Sequence, residues 1–235
     1  RRNKIHPAGV NGLSSTSEQA SPLPRELLTV GLTGGIACGK THILRYLGEL
    51  GAHTLDADEI ARDLVQRGSP AYQEIVGIFG KDILHEGGEL HRAKLAKLIF
   101  SDPHAREQLN AVLHPRIIEE EARRILLCDP RRSPVVVVDA ALMIEVGTYT
   151  RYDVILVAFC PPDLQVERVM RRNHLTREEA LQRLASQMSI YRKLAYAHYI
   201  IHTTGTAAET REQVRHFYQD LLFRWEHETG FPVRP

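Results

Sequence analysis

The stretch GLTGGIACGKTH, Gly31 to His42, places four glycines, one lysine and two threonines on the end of the apolar run LLTVGL, Leu27 to Leu32. A chain gives up side chains in this way where its backbone must approach something closely. Gly34-Gly35-Ile36-Ala37-Cys38-Gly39-Lys40-Thr41 fits the pattern GxxxxGK[ST]. In that pattern successive backbone N–H groups turn inward around phosphate oxygens, and the following helix adds its positive end. Lys40 then reaches the β- and γ-phosphates, Thr41 offers its hydroxyl to Mg²⁺, and His42 carries the loop into the helix. An accidental glycine turn is the competing explanation; a strand pattern before the loop and a helix pattern after it argue against that. The loop specifies a nucleoside triphosphate and leaves the reaction open.

The patterns on either side set the fold class. LLTVGL reads as a buried strand, and the helix after Lys40 carries Ile43, Leu44 and Leu47 on one face. AHTLD, Ala52 to Asp56, is a short second strand expected beside the loop strand, and ADEIARDLVQ continues as a helix. A helical region from Pro70 to Cys128 is broken at Gly87-Gly88 and Pro103, and its last part pairs Glu119 with Arg123 and Glu120 with Arg124 at i,i+4. VVVVD, Val135 to Asp139, and DVILVAF, Asp153 to Phe159, are near-continuous apolar runs, as in a parallel sheet covered on both faces. After a basic helical pair and a strand around Tyr199–Ile201, the last helix lines up Val214, Phe217, Tyr218, Leu221, Leu222 and Trp225 as a core stripe. Strands alternating with helices imply an α/β, doubly wound, mostly parallel sheet over 27–235. A helical insertion at about 68–128 is expected to bind the acceptor, and a helical lid is expected at about 162–191.

Composition removes several function classes. With 30 Lys+Arg against 29 Asp+Glu among 235 residues, the net charge of +1 offers no field to draw in nucleic acid or a membrane surface. Cys38, Cys128 and Cys160 lack CxxC spacing, which points away from a disulfide framework or zinc knuckle and toward a reducing, cytoplasmic setting. The longest apolar runs are too short to span a bilayer. Residues 1–26, rich in Ser, Pro and Gly, read as a disordered leader or linker. An inert tail, a linker from a longer polypeptide, or part of a mitochondrial or other organelle-targeting sequence all suit it, the last through Arg1, Arg2 and Lys4. Oligomeric state is open.

The reaction class follows from what accompanies the loop. The folded region has neither the DxxG nor the NKxD of a GTPase, and Asp139 is followed by Ala140 rather than the Glu of a motor ATPase. A small-molecule kinase needs an acidic group at the acceptor hydroxyl and a basic lid. DADEIAR, Asp56 to Arg62, supplies the acid: Asp58 opens a helix and can orient the hydroxyl and take its proton, unless Asp56 or Asp58 only caps that helix. Arg62 and His114 join Asp58 as substrate contacts, His114 having packing at a helix start as its alternative. Arg168, Arg171 and Arg172 share a helical face in the lid, with Arg177 beyond the turn. Arg168 and Arg172 are the expected ATP contacts, and a solvated basic face is the alternative. Asp139 closes a strand adjacent to the loop and is expected to bind Mg²⁺ through water, in the manner of a Walker-B acid. His198 and His202 read as structural, and Cys38 exposes nucleotide binding to thiol reagents.

Taken in order, GLTGGIACGKT, DADEIAR, FGKDIL, LHPRI, ALMIE after a strand, and the run RVMRRNHLTREEA resemble the dephospho-CoA kinase family from about Leu27 to Gly205. VVVVDAALMIEVG, SPAYQ and SQMS are more similar to the kinase domain of eukaryotic bifunctional CoA synthases. The resemblance implies ATP- and Mg²⁺-dependent phosphorylation of the ribose 3′-hydroxyl of dephospho-CoA. It also implies Asp58 as the base, the inserted helices around the pantetheine end, and the Arg168–Arg183 region as lid. The chain departs from bacterial members at Ala140-Ala141-Leu142, where a proline-containing PLL is usual. It departs again at His198, His202, Thr203 and Thr204, where acidic residues and asparagines are usual. Another P-loop kinase, for a nucleoside or nucleotide, and a non-catalytic nucleotide-binding module are the alternative readings.

Overall fold

The computed structural model describes residues 27–229; the leader expected at residues 1–26 lies outside them. Five strands, β1 Leu28–Gly34, β2 His53–Asp56, β3 Val135–Asp139, β4 Val154–Phe159 and β5 Tyr199–His202, form one sheet in the order β2-β3-β1-β4-β5. Every pairing is parallel. Val135 to Val138 are fully buried, as a strand with apolar side chains on both faces must be.

One neighbour differs from expectation. β2 pairs with β3, not with the phosphate-loop strand, and Asp56 lies opposite Asp139. The reason is burial: β2 is only partly covered, which an edge tolerates, whereas the four valines of β3 need a strand on each side. β1 consequently sits between β3 and β4, where the strand order reverses. In open α/β sheets ligands bind beyond the carboxyl ends of strands at such a point.

Helices α1 Lys40–Glu49, α2 Ala57–Leu64, α3 Pro70–Phe79, α4 Arg92–Ser101 and α5 Pro103–Leu126 precede β3; α6 Pro162–Asn173, α7 Arg177–Ala185 and α8 Ile190–Leu194 lie between β4 and β5; α9 Ala207–Thr229 closes the described chain. α1 packs against α9, whose Val214, Phe217, Tyr218, Leu221 and Trp225 are buried as their spacing requires. A separate apolar cluster, centred on Ala71, Ile75, Ile83, Leu95, Leu109 and Val112, joins α3, α4 and α5.

α5 is continuous through Pro115, so LHP lies inside a helix and not ahead of one. Proline removes an N–H from the helix ladder, and the Arg116 guanidinium reaches back to the Val112 carbonyl at 2.7 Å, next to the disturbed turn. On the exposed side of α5, Glu120 accepts from both Arg123 and Arg124, which holds its carboxyl down at about 2.

Candidate active site

The phosphate loop is built by close packing. A Cβ on Gly34 would stand 2.5 Å from the Ala158 carbonyl oxygen, and one on Gly35 would stand 2.4 Å from Gln165 Oε1. Glycine is therefore required at Gly34 by the β4 backbone behind the loop, whereas a side chain at Gly35 would have to displace the Gln165 amide. Gly39, at φ 80°, starts α1 from the left-handed region, which favours glycine, and Ala37 adopts φ 58° without that advantage.

Arg168 and Thr203 hold that unusual turn. Arg168 Nη1 donates to the Ala37 carbonyl at 3.3 Å and to Thr203 Oγ1 at 3.1 Å, and Nη2 donates to the Thr203 carbonyl at 2.5 Å. The Thr203 hydroxyl donates to the Cys38 carbonyl at 3.0 Å. These bonds fix the Ala37 and Cys38 carbonyls, and within the loop the Cys38 N–H donates to the Gly35 carbonyl at 3.2 Å.

A cleft of about 730 Å³ opens above the loop, lined by Ala37 to His42, by Arg45 and Tyr46 of α1, by Arg168, Arg171 and Arg172 of α6, and by Thr203 and Gly205 after β5. Of the residues expected to hold nucleotide, Ala37, Cys38, Gly39, Lys40, Thr41, His42, Arg168 and Arg172 share this wall. Gly34 and Gly35 are buried behind it, and Ile36 packs with the small apolar cluster of α6 and α7.

A second, smaller cleft of about 160 Å³ is lined by Ala57, Asp58, His114, Glu121, the segment Ala140–Met143, Arg151 and Tyr152. Asp56 and Asp58 have different places. Asp56 is the N-cap of α2, its Oδ1 accepting from the N–H groups of Asp58 at 2.8 Å and Glu59 at 3.1 Å. Asp58, two residues on in the first turn of α2, lines the cleft. Burial pushes the His114 pKa down, so its ring is neutral at pH 7. Arg62 is exposed and stands in neither wall.

Between the clefts lies Asp139, with Lys40 Nζ 4.0 Å from its Oδ1. Burial pushes the Asp139 pKa up to about 6; Lys40 opposes the rise, and Asp56 and Asp58 add to it. Asp56 and Asp58 thus act on Asp139 by their charge, and Asp139 is the one of the three that pairs with Lys40 among the described residues. Cys38 and Cys160 are buried with their sulfurs 3.5 Å apart. The Cys160 thiol donates to Cys38 and so holds the Cys38 pKa down at about 7, against burial and with help from Lys40. The Cys38 sulfur therefore faces another sulfur and not a reagent in solvent.

Several contributors carried no signal in sequence. Glu121 is 3% exposed and accepts from Arg151 Nη1 and the Tyr152 hydroxyl, each at 3.0 Å. Burial raises its pKa while those partners oppose the rise. This trio joins α5 to the stretch before β4, and no local spacing links the two. His198, read as structural, accepts from the Ile155 N–H at 2.8 Å.

A family model described as dephospho-CoA kinase matches residues 28–209, most of the described chain. The chain belongs to the dephospho-CoA kinase family. It is 39% identical over 197 residues to a dephospho-CoA kinase of Syntrophus aciditrophicus, covering 83% of this chain and 84% of that one. It is 42% identical over 188 residues to one of Syntrophotalea carbinolica, covering 80% and 89%. Among solved structures it is similar to TT1252 of Thermus thermophilus, with TM-score 0.74 and 28% identity over 83% of this chain and 98% of that one. It is also similar to the dephospho-CoA kinase of Campylobacter jejuni, with TM-score 0.56 and 25% identity over 83% and 98%. These relatives are bacterial and do not bear on the likeness to eukaryotic bifunctional synthases.

Proposed function

We propose that the chain transfers the γ-phosphoryl group of ATP to the ribose 3′-hydroxyl of dephospho-CoA, giving CoA and ADP. The observation that carries this reading is the placing of Asp58 in the wall of a second cleft, beside the phosphate loop, in a chain of this family. ATP lies along the larger cleft, its β- and γ-phosphates against the loop amides and Lys40. The acceptor enters the smaller cleft, with the helices over 68–128 around its pantetheine end. The Asp58 carboxylate orients the hydroxyl and accepts its proton as the oxygen attacks phosphorus in line.

Lys40 follows the phosphoryl charge during transfer, and Arg171 and Arg172 on α6 face the same cleft as a lid over 162–191 that excludes water. Arg168 acts on nucleotide through the loop it braces. Thr41 and Asp139 are the residues that would hold Mg²⁺. Their hydroxyl and carboxylate are hard oxygen donors, and the crowding of Asp139 by Asp56 and Asp58 favours a cation there. When bound, Mg²⁺ supplies neutralisation of phosphate charge.

Purified protein with ATP, Mg²⁺ and dephospho-CoA should release ADP and yield a product carrying a 3′-phosphate by NMR. Asp58→Asn should lower kcat by about 10²- to 10⁴-fold, the usual share of a positioned base, with ATP affinity unchanged by calorimetry. Turnover of a nucleoside but not of dephospho-CoA would overturn the reading. An undiminished rate in the Asp58 variant would remove Asp58 from the chemistry.

A further inference from the structure

Lys193 on α8 has a side chain with no solvent exposure, and it stands in neither cleft. Taking an ammonium out of water costs several kcal/mol unless its hydrogens are matched. Here Nζ donates to the Ala141 carbonyl at 2.6 Å and to Glu145, 2.8 Å from Oε1 and 3.1 Å from Oε2. Burial pushes the Lys193 pKa down, and the bond to Glu145 opposes that.

The partners lead to the acceptor cleft. Ala141 is part of the segment Ala140–Met143 that lines it. The same Ala141 carbonyl accepts from Thr33 Oγ1 at 3.0 Å, and the Ala140 N–H donates to the Leu32 carbonyl at 3.0 Å, both on β1 just before the phosphate loop. Glu145 in turn accepts from the Met188 N–H at 3.1 Å, in the segment that follows α7. One buried ammonium therefore joins the cleft wall to the segment behind the lid, at a carbonyl already tied to the phosphate-loop strand.

We propose that Lys193, acting through Ala141 and Glu145, is a positioning residue that holds the acceptor wall in register with the phosphate loop. This rests on the reading of the smaller cleft as the acceptor site. In-line transfer needs reacting atoms about 3–3.5 Å apart, and a shift of about 1 Å costs roughly 10²-fold in rate. A wall carried on a loop needs such a tether, because the strand that precedes it ends at Asp139.

Three variants separate positioning from plain stability: Lys193→Met, Glu145→Leu and the pair together. Lys193→Met leaves the Glu145 carboxylate without its ammonium, so both Tm and turnover should fall. The double variant removes both charges, and an apolar replacement of a buried pair is commonly neutral or stabilising. Its Tm should return close to that of the wild type. Its kcat/KM for dephospho-CoA should stay lowered by roughly tenfold or more, because the Ala141 carbonyl keeps only the Thr33 hydroxyl and no longer the ammonium, while ATP affinity changes by less than about twofold. Hydrogen exchange at residues 140–143 should be faster in the double variant despite the recovered Tm.

Wild-type kinetics and wild-type exchange in the double variant would overturn the proposal and leave Lys193 as a stabilising ion pair. An equal loss of ATP affinity would overturn it too. If the wild-type protein itself fails to turn over dephospho-CoA, the functional reading falls, and the exchange measurement still decides the tether. Should Lys193→Met prove insoluble, the double variant carries the test alone.

Discussion

Asp139 shows how a single side chain is set by what surrounds it. Its place beside Lys40 at the end of β3 is buried, and Asp56 and Asp58 face it from β2 and α2, so ionisation is opposed and the pKa rises to about 6. A carboxyl raised in the folded state contributes stability that is present in acid and lost as pH climbs through that value. Without nucleotide and in chelator, Asp139→Asn should therefore raise Tm at pH 7.5 and change it little at pH 4. The gain at pH 7.5 is on the order of 2–3 kcal/mol. Thermal melts across that range check it, and a variant less stable at both pH values would show that the Lys40 contact outweighs burial. Asp56 and Asp58 illustrate a different limit: both are acids at a helix start, and either was suited to capping. Only the coordinates separate the cap, Asp56, from the cleft residue, Asp58.

At the scale of elements, α6 and α7 have a small core of their own. Val166 and Val169 of α6 meet Ala180 of α7, with Ile36 and Ala37 of the phosphate loop packed against them. α7 is held at its start by a capping box, the Thr176 hydroxyl accepting from the Glu179 N–H while the Glu179 carboxylate accepts from Thr176. Losing such a cap costs about 1 kcal/mol, and a helix with so little buried area feels it locally. Thr176→Ala should speed hydrogen exchange across residues 177–185 while shifting global Tm by no more than about 2–4 °C. Unchanged exchange there would mean that packing alone orders α7. The arginine face was legible as sequence. That Arg168 turns down to Thr203 and Ala37, while Arg171 and Arg172 stand in the cleft wall, depends on the approach of β5 to the loop.

For the whole molecule, the sheet couples ligand to stability, because the phosphate loop, the acids of β2 and β3, and Thr203 after β5 all sit at the carboxyl ends of its strands. ATP with Mg²⁺ at about a hundredfold above Kd should add about 2.7 kcal/mol, a rise of roughly 5–10 °C in Tm for a chain of this size. Lys40→Ala should abolish most of that rise, and should lower the ligand-free Tm at pH 7.5 because Asp139 loses its cation, as scanning fluorimetry would show. No helix among the described residues is long and apolar enough to cross a membrane. What sequence by itself determined is local: the loop GGIACGKT, the apolar strands and helix stripes, and the ordered motifs that resemble one kinase family, because glycine sterics and burial periodicity act over a few residues. Tertiary structure alone decided that β2 lies beside β3, that Arg151 and Glu121 meet in the smaller cleft, and that Lys193 is buried against Glu145 and the Ala141 carbonyl. Those contacts join positions tens of residues apart, and no local pattern encodes which distant partner will neutralise a charge or cover a strand.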